Sequence, residues 1–302
     1  MAQTKFKVVS DSCCDLPKDV VKQLDIDIVP LYVAFKDGKY LRDYYDFSYH
    51  DFYQKMLDHP GEYPKTSLPS VEDYMNAWEK YIKEGIPVLN ISMTSKMSGS
   101  YNSARMAKDE LLDTYPDAQI EVIDSQELTI LQGMLVTEAC RLRDAGKSLA
   151  ETAELLNSVK ADGRAYFTIG DLSYIAAGGR IGNLVKLAAA GLGLKPVILF
   201  RNGSISLCIL TRSRQRSLKE LVNQAASYFV TSKEDPQNYH LCAGYGLSRE
   251  EGEEIRTMLR EALSKAGFHA DPPLVQIGTM VGAHNGPMLM GIAFLKKQAL
   301  EE

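Results

Sequence analysis

The first half of the chain alternates short β-branched runs with amphipathic helices, and this rhythm constrains the fold more than any other feature. KVVSD (Lys7 to Asp11), DIDIVPLYVAF (Asp25 to Phe35), PVLNISM (Pro87 to Met93) and IEVID (Ile120 to Asp124) read as strands. Between and after them the spacing predicts helices starting near Pro17 and over Ser48–Leu57, Ser70–Ile82, Tyr101–Tyr115, Leu128–Ala145 and Ser148–Val159. Ser48 and Ser70 open their helices with Asp51 and Asp73 three residues on, an N-terminal capping pattern. Strands separated by helices pair in parallel through right-handed crossovers. Residues 1–165 are therefore read as a doubly wound α/β domain with a parallel sheet, and Asp37-Gly38 as a hairpin-type turn within it.

The second half changes rhythm. AYFTI (Ala165 to Ile169) leads into a short helix, and PVILF and ISLCIL flank Asn202-Gly203, a type I′ hairpin signal. Helices over Ser217–Thr231 and Ser248–Ala266 alternate with strands HLCAGYG, LVQIG and MLMGIAF. Hairpins mixed with helices indicate an α+β domain with a mixed sheet over residues 166–302. Leu184–Leu194 is nearly all Leu, Ala and Gly, which suits close backbone packing or the wall of an apolar space. With no long linker between the halves, the two domains are expected to pack tightly.

Composition narrows the function classes. Thirty-four Lys and Arg against 39 Asp and Glu leave a net charge of −5, with the signs interspersed, which argues against nucleic acid as a partner. The five cysteines are scattered without a C-x-x-C pair, so a reducing cytoplasm is expected. No run reaches the roughly 18 apolar residues of a membrane span, and MAQTKFKVVSD is too polar for a signal peptide.

In doubly wound sheets, ligands bind beyond the carboxyl ends of the strands. Four hydroxyl-rich loops are expected there: SDSCCDLP, KTSLPS, TSKMSGSYNSA and DSQE. Ser70 reads as a helix cap, whereas Thr66, Ser67 and Ser98 suit a cap or an anion contact equally. Ser98 beside Gly99 also raises a serine nucleophile, although M-S-G-S lacks the flanking glycines of a G-x-S-x-G elbow. Arg180, after Gly178-Gly179, offers a guanidinium fork to a carboxylate or phosphate, or to an acid of the other domain. His284 stands between Gly282 and Gly286, where a turn is expected; it reads as a proton carrier, an anion donor or part of the turn. No cysteine or carboxylate lies nearby to make it a metal ligand.

Five motifs in order then carry a resemblance: DSCCDLP, TSLPS, SGSYNSA, DLSYIAAGGRIG with LGLKPVI, and GAHNGPMLMGIAF. Together they span nearly the whole chain, which resembles the DegV family. The resemblance implies two α/β domains with a fatty acid tunnel at their junction. It further implies a non-catalytic role as the acyl-binding component of a bacterial fatty acid kinase. The implied ligand is a long-chain fatty acid such as palmitate, with no other cofactor. The implied partner is an ATP-dependent kinase subunit, with peripheral membrane contact for lipid exchange. Carried over by motif, the carboxylate-binding hydroxyls fall on Thr66 and Ser98 with Ser67 beside them, the head-group arginine on Arg180 and the histidine on His284. Cys13 and Cys14 depart from the small polar residues usual there. The competing reading is a serine-type hydrolase or phosphotransferase acting through Ser98 and His284. No G-x-x-x-x-G-K-[ST] sequence is present for a nucleotide.

Overall fold

The computed structural model describes residues 5–179 and 193–299. Its first sheet is parallel, in the order β2-β1-β6-β7, built from β1 (Lys7–Asp11), β2 (Ile26–Val29), β6 (Val88–Ser92) and β7 (Ile120–Asp124). Side-chain alternation splits its two faces. Val9 and Val88 pack under α3 (Val71–Lys83) and α4 (Ser100–Thr114), with Trp78 and Tyr74 filling that layer. Val8, Leu89 and Ile91 point the other way, into the layer occupied by α5 (Thr129–Asp144), which α6 (Leu149–Val159) flanks. Ser70 and Ser148 both form complete capping boxes, with Asp73 and Glu151.

The second sheet is mixed and six-stranded, in the order β10-β9-β8-β13-β11-β12. It comprises β8 (Arg164–Thr168), β9 (Lys195–Arg201), β10 (Ser204–Thr211), β11 (Tyr239–Tyr245), β12 (Leu274–Gln276) and β13 (Met290–Lys296). Asn202 and Gly203 both take positive φ, 49° and 64°, the requirement of the type I′ turn that joins β9 to β10. Tyr166, Met290, Ile292 and Phe294 face α8 (Arg214–Ser232) and α9 (Arg249–Lys265). Ala165, Phe200, Ala293 and Leu295 face the same layer as α5, so that helix lies between the two sheets and is buried along nearly its whole length.

One expectation divides in two. DIDIVPLYVAF forms β2, then breaks at Pro30-Leu31 and resumes as β3 (Tyr32–Ala34) in a separate three-stranded sheet. Proline has no N–H to give a ladder, which favours ending the strand there. β3 pairs antiparallel with β4 (Tyr40–Arg42) through a loop containing Gly38 at φ 72°, and with β5 (Lys65–Ser67). This small sheet supports α2 (Tyr49–Asp58), and α2 packs on α10 (Thr279–Asn285) of the second half. No helix among the described residues is long and apolar enough to cross a membrane.

Candidate functional site

The strand order places a crevice between β1 and β6, because the chain leaves β1 in one direction and returns from β6 in the other. The loops beyond these strands are tied there by Asp11. Its carboxylate accepts the Met93 N–H at 2.8 Å and the Gln132 amide at 2.9 Å. Around this crevice lies an apolar cavity of about 300 Å³. Cys13 follows β1, and Met93, Met97, Ser98 and Gly99 follow β6. Leu128, Thr129 and Ile130 start α5, while Ala165, Phe167, Phe200 and Ala293 form a floor from the six-stranded sheet.

The polar part of the lining is assembled from distant segments. β5 carries Thr66 and Ser67, because Thr66 pairs in register with Val33 of β3. α10 carries His284 and Asn285. Thr66 Oγ1 and His284 Nε2 lie 3.0 Å apart in a hydrogen bond whose direction depends on the histidine tautomer. Ser98 Oγ shares a bond of 2.8 Å with Ser100 Oγ and accepts the Ser100 N–H at 3.2 Å. Among the described residues the lining contains no Asp, Glu, Lys or Arg. Burial pushes the Cys13 thiol well above its usual range, leaving it a neutral wall group rather than a nucleophile.

Two expectations are corrected by packing. KTSLPS is not a loop at Thr66 and Ser67 but the edge strand β5. His284 is not on a turn; it sits in the last turn of α10, which Gly286 ends at φ 84°. Glycine weakens a helix in isolation, but Gly282 is where α10 meets Tyr53, and a Cβ there would overlap the phenol oxygen. Tyr53 in turn donates to the Ile277 carbonyl at 3.0 Å. Gly178 plays a matching part, since a Cβ on it would approach His284 Nδ1 to 2.8 Å. Gly179, at φ 66°, then ends α7 (Ser173–Gly178) beside His284. Arg180 and most of Leu184–Leu194 lie outside the described residues.

Asn285 escaped the sequence reading, although it adjoins His284. Its Nδ2 donates to the Val281 carbonyl at 2.8 Å, while its buried Oδ1 has no hydrogen-bond partner among the described residues. A serine hydrolase would need Ser98 to donate to His284. The bonds described above take Ser98 to Ser100 and His284 Nε2 to Thr66. The arrangement is suited to hydrogen-bonding one polar end of a molecule whose remainder is hydrocarbon.

Comparison with known proteins agrees over the full length. The crystal structure of a stearic acid-binding protein from Eubacterium ventriosum is 37% identical, covers 97% of this chain and 98% of its own, and superposes with a TM-score of 0.90. A fatty-acid-binding DegV family protein from Thermus thermophilus is 25% identical, covers 97% and 99% respectively, and gives a TM-score of 0.83. A DegV domain-containing protein from Clostridium perfringens is 30% identical over 96% of this chain and 97% of that one. The family model described as an uncharacterised protein of the DegV family matches residues 5–297, and with the fold and these relatives it establishes that the chain belongs to the DegV family.

Proposed function

We propose that this protein binds a long-chain fatty acid in the cavity between its sheets and presents the carboxylate to a partner kinase for ATP-dependent acyl phosphate formation. The observation that carries the binding reading is the cavity itself: apolar walls with hydroxyls, a histidine and an amide gathered from β5, the loop after β6, α5 and α10. A buried carboxylate needs hydrogen-bond donors. Thr66, Ser67, Ser98 and His284 supply them in this reading, with Arg180 following directly after the Gly178-Gly179 turn that abuts His284.

The energetics are adequate without covalent chemistry. Burying a saturated C16 tail removes about 15 carbon units from water at ~0.8 kcal/mol each, roughly 12 kcal/mol gross. Association consumes several kcal/mol of that, which leaves a Kd in the micromolar to nanomolar range. The tail supplies affinity and the head group sets orientation. Neutral hydroxyl donors leave a carboxylate oxygen able to attack phosphorus, while the partner contributes ATP and magnesium. The similarity to the fatty-acid-binding DegV structures supports the ligand class; the kinase partner rests on the family resemblance.

The deciding experiment is lipid extraction from purified protein with mass spectrometry, followed by uptake of labelled palmitate and oleate. Protein that is repeatedly empty and takes up neither acid overturns the reading. Arg180→Ala is expected to reduce kinase-coupled turnover at least as much as binding, and normal coupled phosphorylation by that variant would remove Arg180 from the site. A fluorophosphonate probe is expected to leave Ser98 unlabelled.

A further inference from the structure

A second, more open cleft of about 720 Å³ lies behind the acyl cavity, between α1 (Lys18–Gln23) with α5 on one side and β11 with β12 on the other. Its walls include Val20, Met134, Leu241 and Val275. Ile130, in the first turn of α5, lines both spaces. It is buried, and its Cδ1 rests on bare backbone, because any Cβ on Gly244 of β11 would overlap it. That same Cβ would lie 3.1 Å from Cγ1 of Ile277, another residue of the acyl cavity, so Ile277 closes the wall beside Ile130. The start of α5 is held in place from the N-terminal side, where the Thr129 hydroxyl donates to the buried Asp15 carboxylate.

We propose that Ile130 sets the longest acyl chain this protein accepts: its side chain is the septum that stops the tail, and the rear cleft is the space a longer tail would enter. The inference rests on the fatty acid reading and adds to it a specificity-determining residue. Removing the side chain beyond Cβ joins the acyl cavity to the rear cleft. Each further methylene buried against that cleft's apolar part, Val20, Met134, Leu241 and Val275, contributes up to roughly fourfold in affinity, whereas Asp271 and Lys297 line its polar part. A larger side chain has the opposite effect, because the seat on Gly244 has no room to spare.

The test is competitive loading of the full-length protein with an equimolar series of saturated fatty acids from C12 to C24, read by mass spectrometry of the retained lipid. In Ile130→Ala the preferred length is expected to rise by two or more carbons, with at least a tenfold gain of C20–C22 relative to C16. Ile130→Phe is expected to shift the preference to shorter chains. Ile130→Val removes only the atom seated on Gly244 and preserves the fold most closely, so it is expected to give a smaller shift in the Ala direction. A loaded wild type whose profile is unchanged in the Val variant and in whichever of the other two folds overturns this inference alone. A wild type that retains no fatty acid of any length overturns both the inference and the reading it rests on.

Discussion

Thr66 and His284 are 218 residues apart in sequence and joined by one hydrogen bond, so each side chain holds the other's orientation. Thr66→Val keeps the shape of the side chain and removes the hydroxyl. Palmitate retention is expected to weaken by roughly 1–3 kcal/mol, measured by equilibrium binding of labelled acid. His284→Ala is expected to weaken it comparably, and His284→Gln less so, because the amide retains a donor. Equal retention by wild type and all three variants would count against a head-group role. The types of these residues were readable from sequence as hydroxyls and a histidine in motifs. Their meeting was implied only by the family resemblance and not by the residues themselves, because neither hydrogen-bond partner leaves a local trace on the other's segment. Asn285 illustrates the same limit from the other side: it adjoins a residue singled out by sequence, and only its position on the cavity wall marks it.

At the scale of elements, α10 shows tertiary packing overriding propensity. Its sequence, TMVGAHN before Gly286, reads as a turn, yet Met280 and Ala283 bury against Tyr53, Phe52 and Leu31 and so stabilise a helix. Gly282→Ala improves intrinsic helix propensity but drives a methyl group into Tyr53. A loss of roughly 1–3 kcal/mol is expected from this overpacking, measured by denaturant midpoint, and a smaller loss in a Tyr53→Leu background. β5 follows the same logic, since three polar residues pair as a strand only because β3 offers them an edge. The helices capped by Ser48, Ser70, Ser148 and Ser248, by contrast, begin where their sequences place them, because a cap is a local interaction. Ser70→Ala removes the hydroxyl that accepts the Asp73 N–H, leaves the Ser70 N–H bond to the Asp73 carboxylate in place, and is expected to cost about 1 kcal/mol in the same assay.

At the scale of the molecule, the junction between the two halves is sensitive to pH in two opposing ways. Asp11, Asp15 and Asp43 are buried there, and burial pushes their carboxyls up to about 6, 8 and 6. Hydrogen bonds offset this only in part: Gln132 serves Asp11, Gly278 and Thr129 serve Asp15, and Thr279 and Ser12 serve Asp43. A carboxyl raised on folding binds more protons folded than unfolded, so stability falls as pH rises from its unfolded value, about 3.9, to its folded one. Unfolding free energy is therefore expected to be lower at pH 8.5 than at pH 5, and Asp15→Asn to flatten the part of that slope between about pH 6 and 8. Glu138 acts in the reverse sense. Burial pushes it up, but Arg141, His240 and the Gln298 N–H outweigh that and hold it at about 2. Its contribution is present above about pH 4.3 and is lost as pH falls toward 2. Urea titrations across pH 2–9 check both signs.

The sequence by itself determined the inventory: parallel strands and their helices in the first half, a mixed sheet in the second, the hairpin at Asn202-Gly203, and the caps. Each of these rests on periodicity or a local turn, and local interactions are written in consecutive residues. Only the tertiary structure decided that α5 lies between two sheets and is buried on all sides, that DIDIVPLYVAF divides between two sheets at Pro30, and that β5 and α10 bring Thr66 to His284. The reason is physical: a cavity is a space left between elements, and its walls are set by which faces pack together.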